Sequence, residues 1–316
     1  MRTDVHTHLV PPVPADALSA VGLARRDGRV AAGDTPVGPP DLYRPDRLVT
    51  WLDEAGLDRA LVSVPPPLYR QQEDPSVAGA WARALNEALH AATAPHGALV
   101  PLGHLPLEHP EAAVAEARRL LAAGWAGFAG CAGGRSVSLA SPRLEPLWEL
   151  LTMADRPLLL HPGATPDDRL QEFYLGNLLG NPVETGVATA QLLFGGVLDR
   201  HPTLRVALVH CGGVVPTLLG RWQRGVLTAR PGVDRTDADL RVEARRLWVD
   251  ALAHDPAVVD LAVDVVGEEH LLVGSDWPFP MGTRDPLGLV AHRGASAVHR
   301  AAVENAAAFL GERRTG

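Results

Sequence analysis

The sequence predicts an α/β fold closed as a (β/α)8 TIM barrel, and three observations carry that prediction. Short apolar runs of strand length alternate with longer segments of helical period, the pattern of a parallel sheet with crossover helices. The alternation occurs eight times, the number that closes such a barrel. The chain is also 316 residues long, enough for a barrel of about 250 residues with insertions. The expected organisation is one barrel domain over residues 1–316.

The strands and helices follow in order. Strand Thr3–His8 leads through a long connection, 10–44, to a helix at Pro45–Ala55. Strand Arg59–Val64 pairs with helix Pro75–Thr93, Ala98–His104 with Pro110–Ala123, and Gly124–Ala129 with Arg143–Ala154. Strand Pro157–His161 precedes helix Glu184–Arg200, Arg205–His210 precedes Val214–Arg224, Leu247–Ala251 precedes Pro256–Val266, and His270–Asp276 precedes Val298–Leu310. Pro75, Pro110 and Pro256 stand where a first helical turn tolerates proline, because that turn has no use for the missing N–H. Gly124 and Gly267 stand where helices end. The run "AAVAEARRLLAAG" sets charges on one side and alanine or leucine on the other. Segments 10–44 and 162–183 are too long for tight connections. Both follow C-terminal ends of strands, where barrels carry their functional loops. The first reads as a lid or pocket wall, with Tyr43, Tyr69, Trp277 and Phe279 as candidate apolar contacts.

Composition narrows the class. Hydrophobic residues make up 46% of the chain, so a substantial core can form. No run approaches the about 20 apolar residues that span a bilayer, and the first residues lack the basic and apolar regions of a signal peptide. A cytoplasmic, soluble protein is expected. A net charge of −8 and a pI near 5.9 argue against nucleic acid or an anionic membrane as partner. Cys131 and Cys211 are the only cysteines, which excludes a disulfide framework. All 29 basic residues are arginine, so neither a Schiff-base lysine nor a carbamylated lysine bridging two metals is available.

The chemistry concentrates at strand ends. His6 and His8 close the first strand of "DVHTHLVPP", and alternate strand residues share a face. His104 ends the third strand, His161 the fifth, His210 the sixth and Asp276 the eighth. In a barrel these ends meet on one face. Imidazoles with one carboxylate are the donor set for zinc or another first-row divalent ion. His6, His8, His161 and Asp276 make a three-nitrogen, one-oxygen site; His210 is then a base or proton donor to metal-activated water or substrate. Asp4 is expected on the His6 side of the strand as a supporting group, not a ligand. Cys211 should point away from His210. Cys131, just after the fourth strand, stands where a bridging ligand of a two-metal site would sit, although the surrounding glycines also suit close approach of a substrate or loop.

"DVHTHLVPP", "RPLLLHPG", "VHCGG" and "GSDWPFP", in this order, resemble the amidohydrolase superfamily. Within it they are similar to the amidohydrolase-related branch of α-amino-β-carboxymuconate-ε-semialdehyde decarboxylase, and the resemblance covers nearly the whole chain. It implies a (β/α)8 barrel with one divalent ion, most often Zn2+, held by His6, His8, His161 and Asp276; Fe or Mn are the alternative ions for that donor set. His210 acts on the activated water. It also implies a homodimer, in which Arg221 would reach the neighbouring active site. Three positions depart from the branch. Ala32 matches an arginine that grips a substrate carboxylate, "HCGG" replaces a three-glycine turn, and Trp277 replaces a tyrosine.

The leading expectation is a metal-dependent decarboxylase of a small unsaturated or aromatic carboxylate, with His210 and Asp276 catalytic. Arginine pairs with a carboxylate in bidentate fashion, which makes Arg44, Arg47 and Arg221 candidates to bind it, with Arg29 as a further substitute. His104 and Trp277 are candidate pocket residues. Hydrolysis of an amide, lactone or ester uses the same ligands, and oxygen chemistry at a non-haem iron is a third expectation.

Overall fold

The computed structural model describes residues 1–312. The first barrel strand is β1, Thr3–His8. The connection after it holds β2 (Leu23–Arg26), β3 (Arg29–Ala32) and β4 (Thr35–Pro36). The barrel continues with β5 (Arg59–Ser63), β6 (Leu99–Pro101), β7 (Gly103–Leu105) and β8 (Phe128–Ala132). Strands β9 (Leu158–Pro162), β10 (Val206–Leu208), β11 (Leu247–Asp250) and β12 (Leu271–Leu272) complete it.

The barrel strands form two parallel arcs, β1-β5-β6 and β7-β8-β9-β10-β11-β12. Backbone hydrogen bonds join the arcs at both seams. At one, Leu102 N donates to Val62 O (2.8 Å) and Gly103 N to Gly127 O (3.0 Å). At the other, Val5 N donates to Val273 O (2.9 Å), Asp276 N to His6 O (2.8 Å) and His8 N to Trp277 O (2.9 Å). The expected (β/α)8 barrel is therefore the observed one.

Several boundaries differ from the sequence reading: the sixth strand ends at Leu208 and the eighth at Leu272, so His210 and Asp276 lie in the turns that follow them, and three further differences have local causes. The third strand, expected as Ala98–His104, is two pieces, because the chain changes partner at Leu102: β6 pairs with β5, and β7 with β8. Pro101 ends the first piece, having no N–H to continue a ladder. The fourth strand, expected at Gly124–Ala129, runs Phe128–Ala132. Gly124, at φ 81°, and the bond from Trp125 N to Leu120 O (3.1 Å) close the preceding helix instead. Cys131 accordingly lies within β8, paired in register with His161. The fifth helix divides into Asn181–Phe194 and Val197–Arg200 at Gly195 and Gly196, where Gly196 takes φ 65°.

Three apolar clusters build the fold, one of them packing Leu18, Val30 and Leu42 of the first connection with Trp51, Trp81 and Trp277. Val5, Leu61, Leu102, Leu159 and Leu272 pack inside the barrel with Phe309 and Leu310 of the last helix. Leu105, Phe128, Trp148, Leu160 and Leu208 belong to the larger cluster beneath the helices. Gly103 shows how tight that layer is: a Cβ there would sit 2.4 Å from Leu120 Cδ1 and 3.2 Å from Phe128 Cδ1. Overpacking of this kind costs about 1–3 kcal/mol, so Gly103→Ala should lower the unfolding free energy by an amount in that range. Unchanged stability in a urea titration would contradict this.

The first connection is folded. It carries helix Ala15–Ala20 and the antiparallel order β2-β3-β4. Asp27 (φ 47°) and Gly28 (φ 78°) turn β2 into β3, as a two-residue hairpin of right-handed twist requires. The second long connection leaves Phe173 and Tyr174 80% and 64% exposed, with Leu178 and Leu179 also exposed. Among the described residues, no helix is long and apolar enough to cross a membrane.

Candidate metal centre

Strand β1 brings His6 and His8 together through a local irregularity. Its register with β5 shifts between Asp4 and Thr7, and Val5, which strict alternation would turn away from His6, packs in the barrel interior. The two imidazole centroids lie 5.1 Å apart. The run Leu158–Leu160 sets His161 at the end of β9, 5.1 Å from His6 and 5.0 Å from His8. Asp276 follows β12 in a left-handed conformation, φ 59°, and its backbone N–H bonds to His6 O. One donor atom from each of these four residues falls within 4.8 Å of the others. No other group of histidine, cysteine and carboxylate side chains converges in this way among the described residues.

Each imidazole is held by its Nδ1. His6 Nδ1 bonds to Asp250 Oδ2 (2.7 Å), His8 Nδ1 to Ser63 Oγ (3.1 Å) and His161 Nδ1 to Pro162 O (2.9 Å). That arrangement leaves Nε2 for the centre. His6 Nε2 and His8 Nε2 approach Asp276 Oδ1 at 3.4 and 3.1 Å, and these three buried atoms have no hydrogen-bond partner among the described residues. Buried polar atoms left unpaired cost about 1–3 kcal/mol each. A divalent cation satisfies all of them at once, so the residues fit the ion their chemistry implies.

The electrostatics agree. Burial drives His161 well below the usual histidine range, helped by His8, His6 and His210. Burial also lowers His8. At His6 burial opposes the charged form, but the Asp250 hydrogen bond and the charges of Asp276 and Asp250 outweigh it and raise the pKa. Burial would push Asp276 up, yet its contacts with His210 and His8 hold it well below the usual carboxylate range. The lowered His8, His161 and Asp276 favour the deprotonated forms a metal binds, whereas His6, raised by its carboxylate partners, must give up its proton to the ion.

His210 sits beside these four residues. Its centroid is 5.2 Å from those of His6 and His161, and its Nε2 is 3.9 Å from Asp276 Oδ2. The strand ends at Leu208, and His210 and Cys211 take φ 54° and 55°. Asp250 holds this turn. Its Oδ1 accepts from Cys211 N (2.8 Å) and Leu252 N (3.1 Å) while Oδ2 grips His6. Sequence reasoning missed Asp250, although a carboxylate ending the seventh strand, "LWVDA", was the available signal. It also missed Ser63 at the end of β5. Partners that orient a ligand through its far nitrogen typically change metal affinity about 10–100-fold. Asp250→Asn should therefore weaken metal binding by that factor, as measured by competition with a chelator; unaltered affinity would contradict the assignment.

The remaining candidates are spread differently. His104 is buried on β7, stacked on Tyr69 at 5.2 Å and 8°. Trp277 is buried against Trp51, with centroids 6.2 Å apart. Arg44 is exposed and forms a bidentate pair with Asp46. Arg47 lines a cleft of about 510 Å3 with Trp51, Glu54, Trp277, Phe279 and Arg284, and Phe279 meets the His8 ring edge-on, with centroids 5.5 Å apart. Arg221 is exposed on the helix Val215–Leu227, and Arg29 stands on β3. Asp4 Oδ1 accepts from the backbone of His6 (2.9 Å) and Ser275 (3.1 Å), and burial raises its pKa to about 7. Cys211 packs in the layer under the helices. Cys131 is buried, its thiol pushed up chiefly by burial, and stands outside the four-residue group.

The family model for amidohydrolases matches residues 3–311. The chain belongs to the amidohydrolase family. This amidohydrolase is 27% identical over 306 residues to a 2-amino-3-carboxymuconate-6-semialdehyde decarboxylase of Dictyostelium discoideum, covering 92% of this chain and 85% of that protein. It is 27% identical over 292 residues to the 6-methylsalicylic acid decarboxylase of Penicillium expansum, covering 88% and 85% of the two chains. Its fold matches a 5-carboxyvanillate decarboxylase of Novosphingobium aromaticivorans, solved with bound manganese and 3-methoxy-4-hydroxy-5-nitrobenzoic acid. The TM-score is 0.83, at 20% identity over 98% of this chain and 97% of that one.

Proposed function

We propose that this amidohydrolase is a metal-dependent decarboxylase of a small aromatic or unsaturated carboxylate. The observation that carries the reading is the convergence of His6, His8, His161 and Asp276 with His210 beside them, in a chain whose near full-length relatives are named as decarboxylases. The four residues hold one divalent ion. Three imidazoles and one carboxylate suit zinc, and manganese, seen in the 5-carboxyvanillate decarboxylase, is the competing choice. When bound, the ion supplies a Lewis acid and lowers the pKa of water at an open position.

The chain's own groups do the rest. Asp250, Ser63 and the Pro162 carbonyl fix the ligand rings. The 3.9 Å from His210 Nε2 to Asp276 Oδ2 exceeds a hydrogen bond, so that imidazole can serve the substrate. His210 Nε2 delivers a proton to the carbon bearing the carboxylate. A C–H bond forms, the bond to the carboxylate breaks, its electron pair returns to the ring or alkene, and carbon dioxide leaves. The His210 side chain is 20% exposed and regains its proton from solvent. The test is carbon dioxide release from hydroxybenzoates and unsaturated carboxylates by the metal-loaded protein, run beside esters, lactones and amides. A new carboxylate from the second set, with no carbon dioxide from the first, would replace decarboxylation by hydrolysis.

We read the chain as one cytoplasmic domain that acts as a homodimer. The exposed Phe173, Tyr174, Leu178 and Leu179 support a covered face, and Arg221 is exposed to reach a neighbour. Sedimentation should give twice the 33.5 kDa chain mass; a monomer at micromolar concentration would reject the dimer.

A further inference from the structure

At the same end of the barrel as the metal centre stand three polar side chains to which the mechanism above gives no work. Tyr69 follows β5, His104 lies on β7, and Glu108 comes three residues after β7, so all three belong to the barrel end that carries the ligands. Tyr69 and His104 stack nearly flat, and the outer face of that pair reaches the metal site, with Tyr69 6.3 Å from His161, ring to ring. Each of the three is more than nine-tenths buried. Yet Tyr69 Oη, both ring nitrogens of His104 and Glu108 Oε1 have no hydrogen-bond partner among the described residues.

The surroundings hold His104 in place by its backbone alone. Asn86 of the helix Pro75–Thr93 donates Nδ2 to His104 O (3.0 Å) and to Glu116 Oε1 (2.8 Å), and its Oδ1 accepts from His104 N (2.7 Å). The imidazole so fixed offers one donor and one acceptor. Buried groups with unmet hydrogen bonds are costly, and their grouping beside a metal site marks a surface made to be completed by a ligand.

We propose that Tyr69 and His104 form the specificity-determining wall of the substrate pocket, and that this wall takes an uncharged hydrogen-bonding substituent, a hydroxyl or carbonyl, carried by the carboxylate substrate. The inference rests on the function proposed above and names the substrate class more narrowly. Charge supports it. Burial holds His104 neutral, with a pKa near 4, and raises Glu108 to about 7. The adjacent Arg70 pairs with Glu73. The wall therefore presents no unpaired cation to a second carboxylate, in keeping with alanine at position 32 and with the pairing of Arg44 to Asp46.

The experiment is calorimetric titration of the metal-loaded protein with 2,6-dihydroxybenzoate, benzoate and benzene-1,3-dicarboxylate, with carbon dioxide release measured separately. The hydroxylated acid should bind at least about tenfold more tightly than either of the others, since a site built to hydrogen-bond a substituent rejects the analogue lacking it. Tyr69→Phe and His104→Phe keep the stacked rings and should each erase about tenfold of that preference while leaving benzoate affinity unchanged. Equal binding of all three acids, tightest binding of the dicarboxylate, binding of none, or an equal loss for every acid in the variants would overturn the proposal. Selective binding without carbon dioxide release would leave the wall standing and remove only the decarboxylase reading.

Discussion

Asp276→Asn is expected to abolish both metal retention and turnover. The carboxamide keeps the shape of the side chain but removes the charge that faces His6, His8 and His210. A neutral oxygen is a poor fourth donor for a divalent ion, and the buried Nε2 atoms of His6 and His8 lose their anionic partner. Lewis-acid stabilisation is worth several kcal/mol, and each 1.4 kcal/mol or so is tenfold in rate, so kcat/KM should fall by on the order of 1,000-fold. Elemental analysis of the purified variant should show well under one ion per chain, while far-ultraviolet circular dichroism stays that of the barrel. A variant that kept a full equivalent of metal and its activity would remove Asp276 from the ligand set.

His210→Asn should separate catalysis from metal binding. Asparagine tolerates the left-handed backbone that His210 adopts at φ 54° better than most residues, so the turn held by Asp250 survives. Removing a positioned proton donor costs about 100- to 10,000-fold, and the loss should fall on kcat. Metal content should be unchanged, because His210 stands beside the four-residue group and is not part of it. Loss of the ion along with activity would make His210 a ligand. A change of only a few-fold in kcat would mean that the proton comes from elsewhere.

The residues at strand ends were legible because a barrel brings every C-terminal strand end to one face. His6, His8, His161, His210 and Asp276 needed only the strand count to converge. Asp250 was not legible by the same logic. Its partner His6 is 244 residues away, and a carboxylate ending a strand has many possible uses. The exact strand limits escaped for local reasons: a proline breaking the third strand at a change of partner, and a glycine-closed helix shifting the fourth. The first connection reads as a lid or pocket wall, and the signal for its hairpin is the Asp-Gly pair of "RRDGRV".

The seam that closes the barrel has one last consequence. The chain's two ends meet there, β1 against the residues after β12, and the donor atoms divide across it: His6 and His8 from the beginning of the chain, Asp276 from near its end. Metal binding is then a clasp on a ring. Whatever binds the folded form alone stabilises it in proportion to its occupancy, and here that stabilisation is concentrated on the join most costly in chain entropy, the one spanning nearly the whole sequence. Loading the ion should slow amide exchange first at Val5, His8 and Asp276, the three donors that fasten the seam, so that the same event that arms the site also locks the circle.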